Sequence, residues 1–354
     1  MFGFSVFLGT PMTDEKVAYI EKMTEQGFNG IFTSLHIPED DPQHLLERLQ
    51  TLGALAQKSK LNLMVDISND ISEQLQLTEW NDYLILKNMG VTGLRMDYGL
   101  SEDLMATLSQ HFLIGLNAST LNHDVLTKLT QAKMNFDNVE YWHNYYPRPE
   151  TGLSKQAFIA KNRWLKEFGG KVIAFTPGDG VLRGPLYRGL PTLEKHRGTH
   201  PLANSLELIK ECYVDQVYVG DEELSTDTAK QFFLYTHDNK IGLRVNLVSQ
   251  EYKELVIGTH SNRLDEARDV IRSQEARFKT LPRIKQINTI ARNKGAVTLD
   301  NYLYGRYSGE LQVVKTPLTA SSKVNVMGHV FNNDVALIDW ITSGVTYELI
   351  EGEI

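Results

Sequence analysis

The chain has a single cysteine, Cys212, in 354 residues, so no disulfide forms within it and a reducing compartment is the simplest setting. No stretch of about 18 uncharged apolar residues occurs, which excludes a membrane-spanning helix. A basic excess is also missing: 36 Lys+Arg stand against 44 Asp+Glu, and a formal charge of −8 argues against a protein built to meet nucleic-acid phosphates. The apolar opening Met1–Gly9 has no basic residue ahead of it and reads as a strand, not an export signal. The chain lacks Gly-x-Ser-x-Gly, His-Glu-x-x-His and Walker sequences, and no Gly-x-Gly-x-x-Gly follows the first strand. These absences leave a soluble, cytoplasmic protein with neither nucleic acid nor membrane as its partner. With 42% hydrophobic and 23% charged residues, the composition excludes a disordered chain.

The first two-thirds alternates short apolar runs with helix-patterned stretches. Strands are expected at Phe4–Leu8, Gly30–Ser34, Asn62–Ile67, Gly93–Asp97, Phe112–Leu116, Val139–Trp142, Val172–Phe175 and Gln216–Val219. Helices are expected at Asp14–Gln26, with Thr13 as N-cap and Gly27 as the stop, and at Pro42–Lys58, Lys155–Phe168, Leu202–Glu211 and Thr226–Tyr235. Eight such units match the size of a TIM (β/α)₈ barrel over residues 1–236. From residue 237 to 354 the pattern turns mostly β, with strands expected at Ile241–Leu247, Glu254–Gly258, Gly295–Leu299, Glu310–Val314, Asn325–Val330 and Val345–Leu349. The charge divides there too: residues 1–236 carry −9 and residues 237–354 carry +1, with a local basic stretch from Arg263 to Lys294.

Barrel enzymes work at the C-terminal ends of their strands, where a purely structural layer would prefer Val, Ile and Leu. Polar residues collect instead at those positions here. Alternation puts Ser34 and His36, then Asp66, then Arg95 and Asp97, then Asn117, then Glu140 and Asn144 on inward-facing sides of successive strands. Asp66, Asp97 and Glu140 are therefore expected to converge. Carboxylates in pairs are the equipment of glycoside hydrolysis, one handing a proton to the leaving oxygen while the other stays ionised. Arg95, two residues before Asp97, is also suited to be its structural partner. Two loops add cations. In Tyr145–Gly152, two prolines stiffen the backbone around Arg148, whose planar guanidinium suits phosphate or carboxylate. In Gly189–Gly198, Lys195, His196 and Arg197 follow one another, and on an extended backbone at most two of them reach one ligand. Asp179, after the seventh strand, is a further carboxylate candidate, although Pro177-Gly178-Asp179-Gly180 is also ordinary turn chemistry. No Lys ends any of the eight strands, which weakens a Schiff-base aldolase. His36 and His143 flank the carboxylates without a strong metal-ligand spacing, so neither metal nor cofactor is expected.

Several long motifs resemble one family. Phe2-Gly3-Phe4-Ser5-Val6-Phe7, Asn144-Tyr145-Tyr146-Pro147-Arg148-Pro149 with Thr151-Gly152-Leu153, Gly189–Arg197, Ser261-Asn262-Arg263, Ala267–Ser273 and Arg306–Leu311 are similar to the MupG-type 6-phospho-N-acetylmuramidases. The resemblance implies a TIM barrel followed by a cyclophilin-like β domain. It also implies a bacterial cytoplasmic glycosidase of peptidoglycan recycling that cleaves a phosphorylated amino-sugar disaccharide, N-acetylmuramic acid 6-phosphate–β-1,4–N-acetylglucosamine. In that setting Arg306 or Arg263 of the second domain would reach the 6-phosphate. Two other functions compete: a metal-dependent lyase or isomerase acting on a sugar phosphate, and a non-catalytic sugar-phosphate binder. Oligomeric state is not written in the sequence, and a homodimer stays open.

Overall fold

The computed structural model describes residues 1–35, 44–277 and 282–352. It falls into two compact units, Met1–Ser225 and Thr226–Ile354. In the first, strands β1 (Phe2–Ser5), β2 (Gly30–Ser34), β3 (Asn62–Ile67), β4 (Gly93–Met96), β5 (Leu113–Asn117), β6 (Val139–Trp142), β7 (Lys171–Thr176) and β8 (Gln216–Val219) pair in sequence order. Every neighbouring pair is parallel, and β8 returns to β1, so the sheet closes as a TIM-like barrel.

Crossover helices supply the connections that parallel strands require. They are α1 (Asp14–Glu25), α2 (Leu45–Lys58), α3 (Asn69–Gln74), α4 (Leu84–Asn88), α5 (Glu102–Leu108), α6 (His123–Gln131), α7 (Lys155–Lys166) and α8 (Pro201–Glu211). Their starts are chemically marked. Thr13, Ser101, Asn122 and Ser154 each accept a backbone N–H from the first turn of the helix that follows. The Pro42 and Gln43 start expected for α2 lies outside the described residues. Helices α3 to α6 have no counterpart among the expected ones because they are short. Only α6 carries a clear apolar face, on Leu126 and Leu129.

The barrel interior is solid. Phe32, Met64, Trp142, Ile173, Phe175 and Tyr218 form one buried cluster, with Trp142 stacked on Phe32 at 5.6 Å between centroids and tilted against Tyr218 at 4.7 Å. Two glycines make room for these rings. A Cβ on Gly3 would lie 2.2 Å from the Tyr218 ring, and one on Gly115 would lie 2.8 Å from Trp142. This apolar plug is the floor on which the mouth of the barrel rests.

The second unit opens with α9 (Thr226–Asp238), followed by β9 (Lys240–Leu247), α10 (Lys253–Val256), β10 (Gly258–Ser261), β11 (Val270–Arg272), β12 (Ala296–Asp300), β13 (Leu311–Val314), β14 (Val324–Val330) and β15 (Thr346–Glu351). The strands form one sheet in the order β10-β15-β9-β14-β12-β13-β11. All its pairs are antiparallel except β15 with β9. Helix α9 groups with the second unit. The reason lies in its contacts: Asp227 pairs with Arg244 of β9, and Gln231 Nε2 donates to the Gly242 carbonyl at 3.1 Å. The strand expected over Glu254–Gly258 is instead α10, because Leu255 and Val256 are buried from a single helical turn. Strand β11 was not expected; three residues inside a basic stretch carry no periodic signal. No helix of the described residues is long and apolar enough to cross a membrane.

Asp300, at the end of β12, is buried and its Oδ1 has no partner among the described residues. Burial, and then the Glu310 carboxylate, push its carboxyl up to about 7. A carboxyl raised on folding favours the native state fully below the unfolded value of about 4, and that contribution is lost as pH rises through about 7. Urea unfolding at pH 5 and pH 8 is therefore expected to show a loss on the alkaline side on the order of a few kcal/mol that Asp300→Asn abolishes. An unchanged pH difference in that variant would remove Asp300 as its source.

Candidate active site

The C-terminal ends of β3 and β4 build the centre of the mouth. Asp66 is the fifth residue of β3, and Arg95 is its lateral partner on β4. Both are buried, at 8% and 4% exposure. Arg95 Nη1 donates to Asp66 Oδ1 at 2.5 Å and lies 3.5 Å from Asp97 Oδ1. The two carboxylate oxygens are thus no more than about 6 Å apart. Arg95 Nη2 donates to Asn144 Oδ1, just past the end of β6, while its Nε has no partner among the described residues. Asp66 Oδ2 accepts from Ser34 Oγ at 3.0 Å. Burial pushes the Asp66 carboxyl up, and Arg95 and Ser34 pull it part of the way back.

Asp97 follows β4 directly and keeps 24% of its side chain exposed. Asn117 Nδ2 donates to its Oδ1 at 3.1 Å, and the Asn117 amide is itself fixed by the Ser119 N–H. Asp97 Oδ2 has no hydrogen-bond partner among the described residues. These groups open on a cleft of about 330 Å³ whose walls include Phe32, Tyr145, Tyr146 and Phe175. The cleft therefore joins two carboxylates and a buried cation to flat apolar faces. His143 borders it, is buried, and donates from Nε2 to Asn162 Oδ1 at 2.6 Å; the Asn162 amide is oriented by its own bond to the Cys212 carbonyl. Burial pulls this imidazole down to about 4, so it is neutral at physiological pH.

Glu140 is a correction. It is inward-facing and buried, as expected, but it is the second residue of β6 and sits at the opposite, N-terminal end of the barrel. Trp142 Nε1 donates to it at 3.0 Å, and Lys171, the first residue of β7, lies 3.7 Å away. The Trp142 indole belongs to the apolar plug, one layer above. Sharing a side of the barrel is not sharing a level, so Glu140 does not join Asp66 and Asp97.

The loop after β7 is a second correction. Lys195 and His196 both turn to Glu207 of α8, at 2.7 and 2.8 Å. Arg197 does not face the cleft either. It grips Glu194 through Nε and Nη2, both at 2.7 Å, and donates to the carbonyls of Arg188, Gly189, Tyr146 and Arg148. Glu194 in turn accepts the N–H groups of Glu150 and Gly152, and the Arg197 guanidinium holds its carboxyl down at about 2. Of the expected ligand-binding trio, Lys195 and His196 hold α8, and Arg197 is the clasp that ties the two mouth loops together. Asp179 is likewise taken up, accepting from the N–H and Oγ of Ser225 at 2.8 and 2.9 Å. Arg148 is exposed, with no side-chain partner among the described residues. Arg306 is exposed in the second unit, beside Tyr307. His36 lies outside the described residues.

Two residues of the site were not among those expected. Asp221, directly after β8, is fully buried and accepts the N–H groups of Gly178, Arg183 and Leu190 at 2.9 to 3.0 Å, which fixes the β7–β8 loop. Arg183 donates to the Tyr145 hydroxyl at 3.1 Å and lies 4.0 Å over the Phe7 ring. The position of Asp221 immediately behind the last apolar strand was the available signal. Arg183 had none, being in the middle of an irregular loop. Among the described residues no group of three or more His, Cys, Asp or Glu side chains gathers to hold a metal ion.

A closed parallel barrel with its polar cleft at the C-terminal strand ends is the arrangement of barrel enzymes. The comparisons specify it further. Residues 2–233 match the family model for the N-terminal part of 6-phospho-N-acetylmuramidase, and residues 241–350 match the model for its C-terminal part. The chain belongs to the 6-phospho-N-acetylmuramidase family. It is 45% identical to a conserved Enterococcus faecalis protein of unknown function, with 99% of this chain and 96% of that one covered and a TM-score of 0.90. An uncharacterized B. cereus protein shares the fold at 22% identity, with 99% of each chain covered and a TM-score of 0.74. No curated protein matches the chain.

The clasp is open to test. Arg197→Ala is expected to cost about 2–4 kcal/mol in urea unfolding, since it strands Glu194 and frees the partly buried carbonyls of Gly189 and Tyr146. Lys195→Ala, with Lys155 still 2.6 Å from Glu207, is expected to cost under about 1 kcal/mol. Equal costs would contradict the division of roles.

Proposed function

We propose that the chain hydrolyses the β-1,4 bond between N-acetylmuramic acid 6-phosphate and N-acetylglucosamine. The observation that carries this reading is the pair Asp66 and Asp97, held around Arg95 in a cleft with aromatic walls, in a chain of this family. In our reading the pair divides the work by environment. Asp66, whose carboxyl burial raises, is the group we assign to deliver the proton to the glycosidic oxygen, and the N-acetylglucosamine leaves as an alcohol. Asp97, partly exposed and with Oδ2 free, stays ionised and meets the positive charge that develops at the anomeric carbon. The nearest oxygens of the two lie at most about 6 Å apart, close enough to flank one glycosidic bond, and water then adds at the anomeric carbon and returns a proton to Asp66.

Arg148, exposed and without a side-chain partner among the described residues on a loop stiffened by two prolines, is the cation we assign to the 6-phosphate at the barrel. Tyr145 and Tyr146 provide faces for the sugar rings. The second unit is read as the cyclophilin-like domain that the resemblance implies. We place the reaction in the cytoplasm, in the recycling of peptidoglycan fragments. A single, buried cysteine agrees with a reducing compartment.

The test is release of N-acetylglucosamine from the disaccharide with and without its 6-phosphate. Cleavage is expected with the phosphate and to fall sharply without it. Arg148→Ala is expected to raise KM for the phosphorylated substrate alone. Asp97→Asn is expected to lower kcat by roughly 10²–10⁴-fold. Asp66→Asn should lose as much on the disaccharide but less on an aryl glycoside whose leaving group needs no proton. Full activity in both amide variants would end this assignment.

A further inference from the structure

The second unit has a cavity of its own, about 510 Å³, with Arg263, Arg272, Arg306, Tyr307, Ser308 and Glu310 in its wall. Its charges do not balance. Glu310 is the buried carboxylate at its base. Arg263 Nη2 donates to Glu310 Oε2 at 3.1 Å, Arg272 donates to both oxygens at 2.7 and 3.3 Å, and Gln312 Nε2 adds a bond at 2.9 Å. Every lone-pair direction of this carboxylate is thus engaged. Arg263 is itself 6% exposed, and its Nε has no partner among the described residues. Among the described residues Arg306 meets its neighbour alone, with Nη2 donating to the Tyr307 hydroxyl at 2.7 Å and the guanidinium 4.9 Å over the Tyr307 ring. The remaining acids nearby offset little. Asp265 meets Arg272 at 3.5 Å from a side chain 78% exposed, and the buried Asp300, backbone-paired with Glu310, is only partly ionised at neutral pH.

Three guanidiniums around one saturated carboxylate leave one to two positive charges in a concave, partly dry site, where an unpaired charge is expensive. A doubly charged phosphate answers that excess, and planar guanidinium forks match its oxygens. The rim adds a second feature. Tyr307, 42% exposed, lines the cavity, and Tyr304 stands edge-on to it at 5.9 Å. Exposed aromatic faces beside an anion site suit the apolar face of a sugar ring. We propose that this cavity binds a phosphomonoester carried on a small sugar, with Arg263, Arg272 and Arg306 cradling the phosphate and Tyr307 flanking the ring.

The inference stands without the barrel reading, because simple phosphates test it on the full chain. In calorimetric titration, glucose 6-phosphate is expected to bind more tightly than inorganic phosphate, and glucose not at all. Arg306→Ala is expected to weaken glucose 6-phosphate by at least about tenfold, and its side chain is exposed enough for the variant to fold. Arg188→Ala, an exposed arginine of the first unit, should leave the affinity unchanged. Crystals soaked in tungstate should show the ion between Arg263 and Arg306. No phosphate binding, equal loss in both variants, or tungstate elsewhere would overturn the proposal. In the Asp97→Asn protein, displacement of glucose 6-phosphate by the phosphorylated disaccharide would make the substrate's own phosphate the ligand. Undisturbed binding would identify a separate sugar phosphate. Either result keeps the site, and loss of disaccharide cleavage alone leaves it untouched.

Discussion

The ion pair between Arg95 and Asp66 is the constraint on which the mouth of the barrel depends. A guanidinium at 4% exposure sits directly above a plug of Phe, Met, Trp and Tyr side chains, where an aliphatic residue would cost nothing to bury. Its desolvation is offset only because Asp66, Asp97 and Asn144 come to it from β3, from the end of β4 and from behind β6. Each of those partners is in turn fixed, Asp66 by Ser34 of β2 and Asp97 by Asn117 of β5. One buried cation thereby sets the positions of side chains from five consecutive strands or strand ends. Removing it would leave Asp66 buried and unpaired, which explains why a polar layer lies across a barrel that packing alone would fill with hydrocarbon.

The loops around that layer are fixed by the same means, with carboxylates that hold backbone rather than ligand. Asp221 collects three N–H groups and shapes the β7–β8 loop from the barrel side. Glu194 collects two N–H groups and the Arg197 fork, which joins that loop to the one after β6. Irregular backbone cannot satisfy itself, so a buried acid that accepts several N–H groups replaces the ladder that a strand would provide. The outcome is a fixed rim around a cleft in which, among the described residues, Asp97 Oδ2, Arg95 Nε and His143 Nδ1 have no hydrogen-bond partner, with the exposed Arg148 guanidinium on the loop beside it.

The barrel was legible in the sequence because its strands are short apolar runs at regular spacing, and all eight were located to within a few residues. Asp66, Arg95, Asp97, Asn117 and Asn144 were legible because alternation assigns a side and the late position assigns a level. Glu140 shows what happens when the second half of that inference is missing. The strand was correctly bounded and the side was right, but the second residue of a four-residue strand belongs to the bottom of the barrel. The Lys195–Arg197 run failed for a different reason. Consecutive cations look like a binding loop, yet whether they face a ligand depends on which acids the fold brings near them. Glu207 and Glu194 were invisible as partners until α8 and the short turn at Glu194–His196 were in place. Helices α3 to α6 were missed because short helices on a barrel exterior are stabilised by what they cover, not by a pattern long enough to read.

Charge balance then separates clusters that hold the fold together from clusters that await something. Glu207 faces Lys155, Lys195 and a buried imidazole pulled below its usual range, and Asp334 faces Arg244, which also meets Asp227. In the first, two carboxylates, Glu207 and Glu211, meet two lysines; in the second, two carboxylates share one guanidinium, but neither cluster borders a cleft described above. At the barrel mouth two carboxylates likewise share one guanidinium, but there they line a cleft and the second keeps an oxygen free among the described residues, which is the condition for handling a proton or a cationic centre. Around Glu310 the surplus is positive, and there the wall is concave and flanked by tyrosines. The same inventory of arginines and acids thus gives clasps where no cleft opens, a candidate catalytic pair where negative charge is left over in one, and an anion site where positive charge is. The deciding quantity in each place is not how many charged residues gather but how many remain uncancelled in a cavity that a ligand can enter.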